Sequence, residues 1–222
     1  MTTLTMPKTH GDRGMEGMVA KWYAANTSEM LKEYVDLARR ISGEIPKGSA
    51  VLEVAPGPGY FCIELAKLGS YRITGLDISR TFVKMAAKHA AESGVKVEFK
   101  QGSASRMPLQ RDSFDFLLCR AAFKNFGDPV GALQEMCRVL KPVGRGVILD
   151  LKGDASPAEI SREVDRMGLS GFNKLMTKLA FKKVLIKSAY TREQFEHMLG
   201  QANFSRVDIA ESKIGFEITM TK

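Results

Sequence analysis

The segment with the clearest chemical meaning is Glu53-Val54-Ala55-Pro56-Gly57-Pro58-Gly59, which continues from a short apolar run over residues 50–54. Gly57 and Gly59 let the backbone turn sharply and let a ligand approach it without interference from a Cβ atom. A helix beginning after this loop would present free N–H groups to that ligand. The segment therefore predicts a ligand-binding turn between a strand and a helix; the alternative is a turn with a purely structural role.

The residues around this loop narrow the choice of ligand. A dinucleotide fingerprint requires a third glycine where this chain has Cys62, and the sequence lacks the Gly-Lys-Ser/Thr of a phosphate-binding loop. Asp77 ends the next apolar run, and a carboxylate there can accept hydrogen bonds from both hydroxyls of a ribose. The pattern favours a nucleoside ligand, while the alternative for Asp77 is a helix-capping or surface residue.

Two cations, Arg120 and Lys124, follow the fourth apolar run and would border the ligand edge of a sheet. Either could hold a carboxylate or phosphate of a second substrate, and Phe123 and Phe126 could enclose an aromatic ring. An equally good interpretation is core aromatics beside surface cations. None of the three histidines has a position that indicates a general base. The sequence therefore leaves the catalytic residues unknown, with Arg120 and Lys124 as candidates.

Alternating strand and helix patterns position these groups. Apolar runs predict parallel strands over residues 50–54, 71–76, 95–99, 114–119 and 146–151. Helical patterns lie between them, over residues 59–68, 79–94 and 128–140. Patterns before and after predict helices over residues 15–41 and 191–203 and a final antiparallel hairpin over residues 205–220. Such alternation gives a doubly wound sheet with its ligand site at the carboxyl ends of the strands.

The composition of the 222-residue chain is that of a globular protein, with 44% hydrophobic and 26% charged residues. Its net charge of +8 permits an anionic partner, but the basic residues are spread along the chain rather than concentrated as in a nucleic-acid binder. Three scattered cysteines fit a reducing cytoplasm better than a disulfide framework or a metal site. No apolar run approaches the roughly 20 residues of a membrane span. We therefore expect a cytoplasmic protein with no membrane span and no metal.

Five motifs in order resemble those of the class I S-adenosylmethionine-dependent methyltransferases, and specifically the small-molecule, ubiquinone/menaquinone type. They are the loop at residues 53–59, Gly75-Leu76-Asp77-Ile78-Ser79, Gln101-Gly102-Ser103-Ala104, Ser113-Phe114-Asp115-Phe116 and Arg138-Val139-Leu140-Lys141-Pro142. The resemblance implies an α/β, Rossmann-like, doubly wound sheet of seven strands with the last strand antiparallel. It also implies S-adenosylmethionine as cofactor and S-adenosylhomocysteine as product.

The resemblance further implies a cofactor site. Its members would be Tyr23, Glu53, Ala55, Gly57, Gly59, Asp77, Ile78, Ser103, Ala104 and Arg120. Glu53 would orient the loop and the cofactor's amino group, and Gly57 and Gly59 would lie against its methionine portion. Asp77 would hold the ribose hydroxyls, Ile78 would pack on the adenine, and Ala104 would donate its backbone N–H to the adenine.

Three positions depart from the family's pattern. Ala55 replaces the first glycine of the loop, which is tolerable if its φ is negative. Ser103 stands where many relatives have an aspartate that reads the adenine amino group, and a hydroxyl accepts more weakly than a carboxylate. Val143 replaces the glycine that usually follows Lys141-Pro142. None of these changes removes the site.

We expect an N-terminal tail and helical lid over residues 1–44, with Tyr23 closing over the cofactor. Residues 45–222 would form the methyltransferase domain, with a helical insertion over residues 156–188 above the pocket. The expected reaction is in-line methyl transfer to a small-molecule acceptor, anionic or aromatic, which alignment can accelerate. The alternatives are an RNA methyltransferase, suggested by the charge, and a non-catalytic S-adenosylmethionine-binding subunit. No DNA partner is expected, because the Asn-Pro-Pro-Tyr-like motif of amino-methylating DNA enzymes is absent.

Overall fold

Seven strands form one sheet in the computed structural model, which describes residues 14–27, 31–166, 186–212 and 214–222. In chain order they are β1 (Ala50–Val54), β2 (Arg72–Asp77), β3 (Glu98–Gln101), β4 (Phe114–Arg120), β5 (Leu140–Leu151), β6 (Arg206–Ser212) and β7 (Gly215–Thr221). Their order across the sheet is β3-β2-β1-β4-β5-β7-β6. The first five strands are parallel, and β7 is antiparallel to β5 and β6. The predicted doubly wound, Rossmann-like sheet with an antiparallel last strand is confirmed.

Helices cover both faces of this sheet. They are α1 (Gly17–Thr27), α2 (Leu31–Glu44), α3 (Tyr60–Ala66), α4 (Arg80–Glu92), α5 (Pro129–Val139), α6 (Pro157–Arg166), α7 (Ile186–Ser188) and α8 (Arg192–Leu199), with a short 3-10 helix at Phe123–Asn125. The pleat of β1 sends Val51 into one core, which α2 and α3 complete, and Leu52 and Val54 into another, which α5 and α8 complete. Within the described ranges, no helix has the length and apolar character needed to cross a membrane.

Strand β3 begins at Glu98 rather than at Val95, where the sequence predicted it. Helix α4 closes with a turn in which Gly94 has φ +68° and donates its N–H to Ala91 O at 3.1 Å. The Val95 N–H donates to Ala90 O at 3.1 Å. This helix-closing turn uses the backbone of Val95, so the strand cannot start there.

Strand β5 begins at Leu140, directly after α5, whereas the sequence predicted a helix through Leu140 and a later strand. Leu140 pairs in parallel with Phe114 of β4, which makes it the first residue of the strand. The next residues of β5 bond to the backbone of Lys222. Lys222 O accepts from the Val143 N–H at 3.2 Å, and the Lys222 N–H donates to Gly144 O at 3.1 Å. Val143 is 85% exposed and adopts φ +59°, so the residue that replaces a glycine has a left-handed backbone.

Several predicted segments fall partly outside the described residues. The helix predicted over residues 15–41 is two helices, α1 and α2, and residues 28–30 between them are not described. The predicted insertion over residues 156–188 contains α6 and α7, with residues 167–185 outside the described part. The predicted tail over residues 1–13 also lies outside it.

Candidate functional site

The glycine loop between β1 and α3 is fixed to the end of β2. The Ala55 N–H donates to Leu76 O at 2.7 Å, and the Gly57 N–H donates to Asp77 Oδ2 at 3.0 Å. Strands β1 and β2 are parallel neighbours, so their carboxyl ends lie at the same edge of the sheet. Loop and acid therefore form one joined edge at the place where the sequence predicted the ligand.

The space beside the two loop glycines differs. Both have left-handed backbones, with φ +54° at Gly57 and +84° at Gly59. A Cβ at Gly59 would lie 2.9 Å from both Ala86 Cβ and Phe99 Cζ, so protein packing requires glycine there. A Cβ at Gly57 would meet nothing within 4 Å. Of the two glycines predicted to contact the cofactor, Gly57 is the one with open space beside it.

The negative φ that would let alanine replace the first loop glycine without strain is not found, since the φ of Ala55 is +57°. An L-residue in this conformation brings its Cβ close to the following carbonyl oxygen, at a cost of roughly 1–2 kcal/mol. The hydrogen bond from the Ala55 N–H to Leu76 O helps to hold the strained turn. Alanine at this position therefore has a left-handed backbone within a loop that is hydrogen-bonded to β2.

Asp77 is buried, with 5% of its surface exposed, and both of its carboxylate oxygens accept backbone hydrogen bonds. Oδ2 accepts from the Gly57 N–H, and Oδ1 accepts from the Ser79 N–H at 2.8 Å. Burial raises the pKa of this carboxyl, and the two N–H donors oppose that rise. Each carboxylate oxygen has a second lone pair, so Asp77 can hold the loop and still accept hydrogen bonds from a ligand.

Glu53, in β1, is a second buried carboxyl near this edge, with 2% of its surface exposed. Its Oε2 accepts a hydrogen bond from Cys62 Sγ at 3.0 Å. Burial raises the pKa of Glu53 to about 7, against the lowering effects of the Cys62 thiol and the positive charge of Arg120. A thiol is a weak donor, so Glu53 retains capacity for a cationic group. Cys62, noted in the sequence only as a missing glycine, is thus the hydrogen-bond partner of Glu53.

Arg120, at the end of β4, contacts residues of α2 that the sequence did not single out as functional. Its Nη2 donates to Glu33 Oε2 at 2.5 Å, and its guanidinium carbon lies 4.2 Å from the centre of the Tyr34 ring. The Tyr34 ring also contacts that of Tyr60, with 5.5 Å between centroids. Burial raises the pKa of Tyr34 to about 12, so its hydroxyl stays neutral. The sequence places Tyr34 only within the helix predicted over residues 15–41. Its position beside Arg120 follows from the packing of α2 in the fold.

Lys124 is 6% exposed and lies in a buried ion pair. Its Nζ donates to Asp150 Oδ1 at 2.9 Å and to Ala121 O at 2.8 Å, and its N–H donates to Asp150 Oδ2 at 3.0 Å. Phe123 is fully buried and contacts the ring of Tyr190. Phe123 is thus a core residue, while Lys124 is neither a surface cation nor free to hold an acceptor. The pair with Asp150 instead fixes the loop after β4.

The residues predicted to bind adenine follow two adjacent strands. Strands β2 and β3 are parallel, and their pairing ends at Asp77 and Gln101. Ile78, just after β2, and Ser103, just after β3, therefore lie at the same edge of the sheet. Ile78 is half-buried, and Ala104 packs against the core. The Ser103 hydroxyl is 3.0 Å from that of Ser105, a local hydrogen bond that a ligand contact would have to share or replace.

The segment preceding α1 contacts the N-terminus of α4. Glu16 Oε1 accepts from the Arg80 N–H at 2.8 Å, and Oε2 accepts from the Thr81 N–H at 3.1 Å. A carboxylate is stabilised at this end of a helix. On α1 itself, the Tyr23 ring contacts Phe82 with 5.9 Å between centroids. The structure therefore brings α1 beside the predicted adenine end, through a residue, Glu16, that no sequence pattern indicated.

These features fit a ligand that combines a ribose, a cationic amino group and a flat base. The open space beside Gly57 lets such a ligand approach the loop backbone. Asp77 has spare lone pairs for two hydroxyls, and Glu53 offers a buried carboxyl whose donor is a weak thiol. S-adenosylmethionine has each of these parts, so the residues present fit that cofactor.

A family model described as methyltransferase domain matches residues 45–211, about three quarters of the chain. The chain belongs to this family. The matched region contains the glycine loop, Asp77 and Arg120. The family that the five motifs indicated is thereby confirmed, together with S-adenosylmethionine as its cofactor.

Curated relatives of this methyltransferase-domain protein match over part of their length. It is 38% identical over 107 residues to a demethylmenaquinone methyltransferase of Deinococcus radiodurans, covering 48% of this chain and 44% of that protein. It is 35% identical over 104 residues to the ubiquinone/menaquinone biosynthesis C-methyltransferase UbiE of Bdellovibrio bacteriovorus, covering 46% of this chain and 44% of that one. The matches thus span less than half the length of either relative.

Among solved structures, the fold is similar to that of a SAM-dependent methyltransferase from Aquifex aeolicus. The TM-score is 0.64 at 20% sequence identity, covering 83% of this chain and 88% of the other. At this identity the likeness shows the fold alone.

Proposed function

We propose that this protein transfers the methyl group of S-adenosylmethionine to a small-molecule acceptor. The observation that carries the proposal is the joined edge of β1 and β2, where the Gly57 N–H donates to Asp77 Oδ2. An open glycine turn next to a buried carboxylate suits a ribose-bearing cofactor at this edge. Membership of the methyltransferase-domain family supports the same reaction.

Each part of the edge would hold a different part of the cofactor. Asp77 accepts from the ribose hydroxyls, and Glu53 accepts from the amino group of the methionine portion. Ile78 packs on the adenine, while Ser103 and Ala104 offer a hydroxyl and an N–H to its rim. When bound, S-adenosylmethionine supplies a methyl group on an activated sulfonium.

The chain's own contribution to the rate is alignment and exclusion of water, because a sulfonium needs no protonation to leave. Arg120 and Tyr34 border the acceptor in this proposal. The Arg120 guanidinium attracts an acceptor oxygen that carries negative charge. Tyr34 offers an aromatic face and a neutral hydroxyl. Tyr23, on α1, covers the cofactor from the side of α4.

The acceptor class that fits these groups is a hydroxylated aromatic ring of the quinol type. Loss of a ring hydroxyl proton to water makes the neighbouring ring carbon nucleophilic, and Arg120 would stabilise the resulting negative charge. The carbon then takes the methyl group, S-adenosylhomocysteine leaves, and the hydrogen that the carbon carried is released to water as a proton. The names of the two curated relatives support this class, since both refer to methylation in the quinone series. A quinol would be both aromatic and, once ionised, anionic.

We place the protein in a reducing cytoplasm. Its three cysteines, Cys62, Cys119 and Cys137, are all free and buried, as is usual where disulfides do not form. Burial also raises the pKa of each thiol, which keeps it protonated and unreactive.

Tritium-labelled S-adenosylmethionine tests the proposed reaction when it is supplied with demethylmenaquinol, with total RNA or with no acceptor. We expect label in the quinol, loss of labelling in Asp77→Ala, and normal labelling in the control Asp208→Ala, which alters an exposed acid of β6. Label in RNA alone would replace the small-molecule proposal with the RNA alternative. Binding of S-adenosylhomocysteine without transfer to any acceptor would support a binding subunit instead.

A further inference from the structure

An open surface groove of about 610 Å³ lies between three elements: α1, α4 and the first residue of α3. None of the residues proposed to hold the cofactor lines it. Its lining consists of Lys21, Ala24, Tyr60, Thr81, Lys84, Met85, Lys88 and His89, and we call it the lysine groove. The groove is large enough for a small organic ligand.

Every charged side chain in this lining is a lysine. Lys21 comes from α1, and Lys84 and Lys88 lie one turn apart on α4, so both helices contribute positive charge. Lys88 Nζ is 3.6 Å from Glu92 Oε1, but the two side chains are 74% and 58% exposed, which makes that pair weak. Lys21 and Lys84 form no ion pair with any residue in the described ranges. One acid outside the lining, Glu16, contacts it by accepting from the Thr81 N–H. The three lysines outnumber it, so the groove has a net positive charge.

Two flat rings lie among these lysines. The Tyr60 and His89 rings are nearly parallel, at 8°, with 6.0 Å between their centroids. Each is held in place: the Tyr60 hydroxyl donates to Ala24 O at 3.2 Å, and His89 Nδ1 is 3.0 Å from Pro58 O. Since Pro58 O can only accept, Nδ1 carries the proton in this contact. Held rings with a polarisable Met85 nearby make a good surface for an aromatic group.

We propose that the lysine groove binds a free aromatic phosphate monoester. Ammonium groups on flexible stems bind phosphate as point charges, and three of them suit a dianion better than a singly charged carboxylate. The paired rings and Met85 hold the aromatic part. The site is separate from the proposed cofactor site and does not depend on the proposed methyl transfer, although His89 joins it to the glycine loop through Pro58.

Methyl NMR on protein labelled at its 12 methionines measures this binding directly, with the Met85 signal assigned from Met85→Leu. Phenyl phosphate is the probe, inorganic phosphate tests charge alone, and benzyl alcohol tests the ring alone. We expect a saturable shift of the Met85 methyl with phenyl phosphate. Both comparison compounds should bind about tenfold more weakly or worse, because each lacks half of the recognised chemistry. Equal affinity for inorganic phosphate would overturn the assignment of an aromatic ligand.

Two double variants test whether binding of phenyl phosphate depends on the groove lysines or on the overall positive charge of the protein. Lys84→Gln with Lys88→Gln removes two groove charges, and we expect at least about tenfold weaker binding of phenyl phosphate. Lys32→Gln with Lys47→Gln removes two exposed lysines elsewhere and should leave the affinity within about twofold. Equal weakening by both pairs, or a Met85 methyl that does not respond to phenyl phosphate, would overturn the proposal. Amide spectra of both variants establish that they are folded.

Discussion

Asp77 Oδ2 accepts the Gly57 N–H at 3.0 Å, so the acid at the end of β2 holds the loop at the end of β1. One side chain therefore builds the loop and, in the proposed function, also binds the ribose. A change at Asp77 alters loop geometry and ligand contact together. The two glycines of the loop separate these effects, because Gly57 borders open space and Gly59 borders protein.

Gly57→Ala should mainly weaken ligand binding, whereas Gly59→Ala should mainly lower stability. At Gly57 the new Cβ meets no protein atom, so the loss of stability is roughly the 1–2 kcal/mol of a left-handed alanine. The same Cβ enters the open space, so affinity for S-adenosylhomocysteine should fall strongly. At Gly59, contacts of 2.9 Å add overpacking of about 1–3 kcal/mol to that strain.

Urea unfolding and isothermal titration measure the two effects separately. The expected pattern is a folded Gly57→Ala that binds poorly and a markedly less stable Gly59→Ala. A Gly57→Ala protein that binds as tightly as the wild type would show that the loop has only a structural role.

Ala55→Gly should stabilise the protein by about 1 kcal/mol, since glycine adopts the observed φ of +57° without strain. Ala87→Gly is the matched control, because Ala87 is an exposed residue inside α4, where glycine costs about 1 kcal/mol. Denaturant unfolding of the two variants should therefore give shifts of opposite sign. A loss of stability in both would mean that Ala55 is not strained.

Glu53 should make stability depend on pH in an unusual direction. Burial raises the pKa of its carboxyl to about 7 from the usual 4.5, so the folded state binds more protons than the unfolded state between these values. The contribution of Glu53 is therefore fully present below pH 4.5 and is lost as the pH rises through 7.

Glu53→Gln removes this dependence. At each pH the relevant quantity is the free energy of unfolding of the variant minus that of the wild type. This difference should increase by up to about 3 kcal/mol as the pH rises from below 4.5 to above 7. Urea unfolding of both proteins at several pH values measures the difference. A constant difference across that range would contradict the raised pKa.

The parts of the site that follow from local sequence were predictable. Gly57 and Asp77 lie at strand ends where chain pattern alone indicates a ligand edge. Ser79, the first residue of the helical pattern over residues 79–94, caps α4 by accepting from the Phe82 N–H. Thr191, the first residue of the predicted helix over residues 191–203, forms a full capping box with Gln194. Each of these features is formed by residues that are close together in the sequence, so the sequence pattern alone is enough to predict it.

The parts that depend on distant residues were not predictable. The sign of φ at Ala55 accompanies a hydrogen bond to β2, and the need for Gly59 comes from Phe99 on β3. Lys124 has the pattern of a free cation until β5 places Asp150 against it. Glu16 reaches α4 across 64 residues of chain. No local pattern encodes such contacts.

The proposed cofactor site is tested most directly by isothermal titration of S-adenosylhomocysteine into the wild-type protein and Asp77→Asn. Asparagine keeps the size of the side chain but removes its charge and one of its two acceptor oxygens. We predict saturable binding to the wild type and about 10–100-fold weaker binding to Asp77→Asn, as expected for lost charge-assisted hydrogen bonds. Asp208→Asn, at an exposed acid of β6, should bind as the wild type does. No binding to the folded wild type, or equal affinity in a folded Asp77→Asn, would contradict the site.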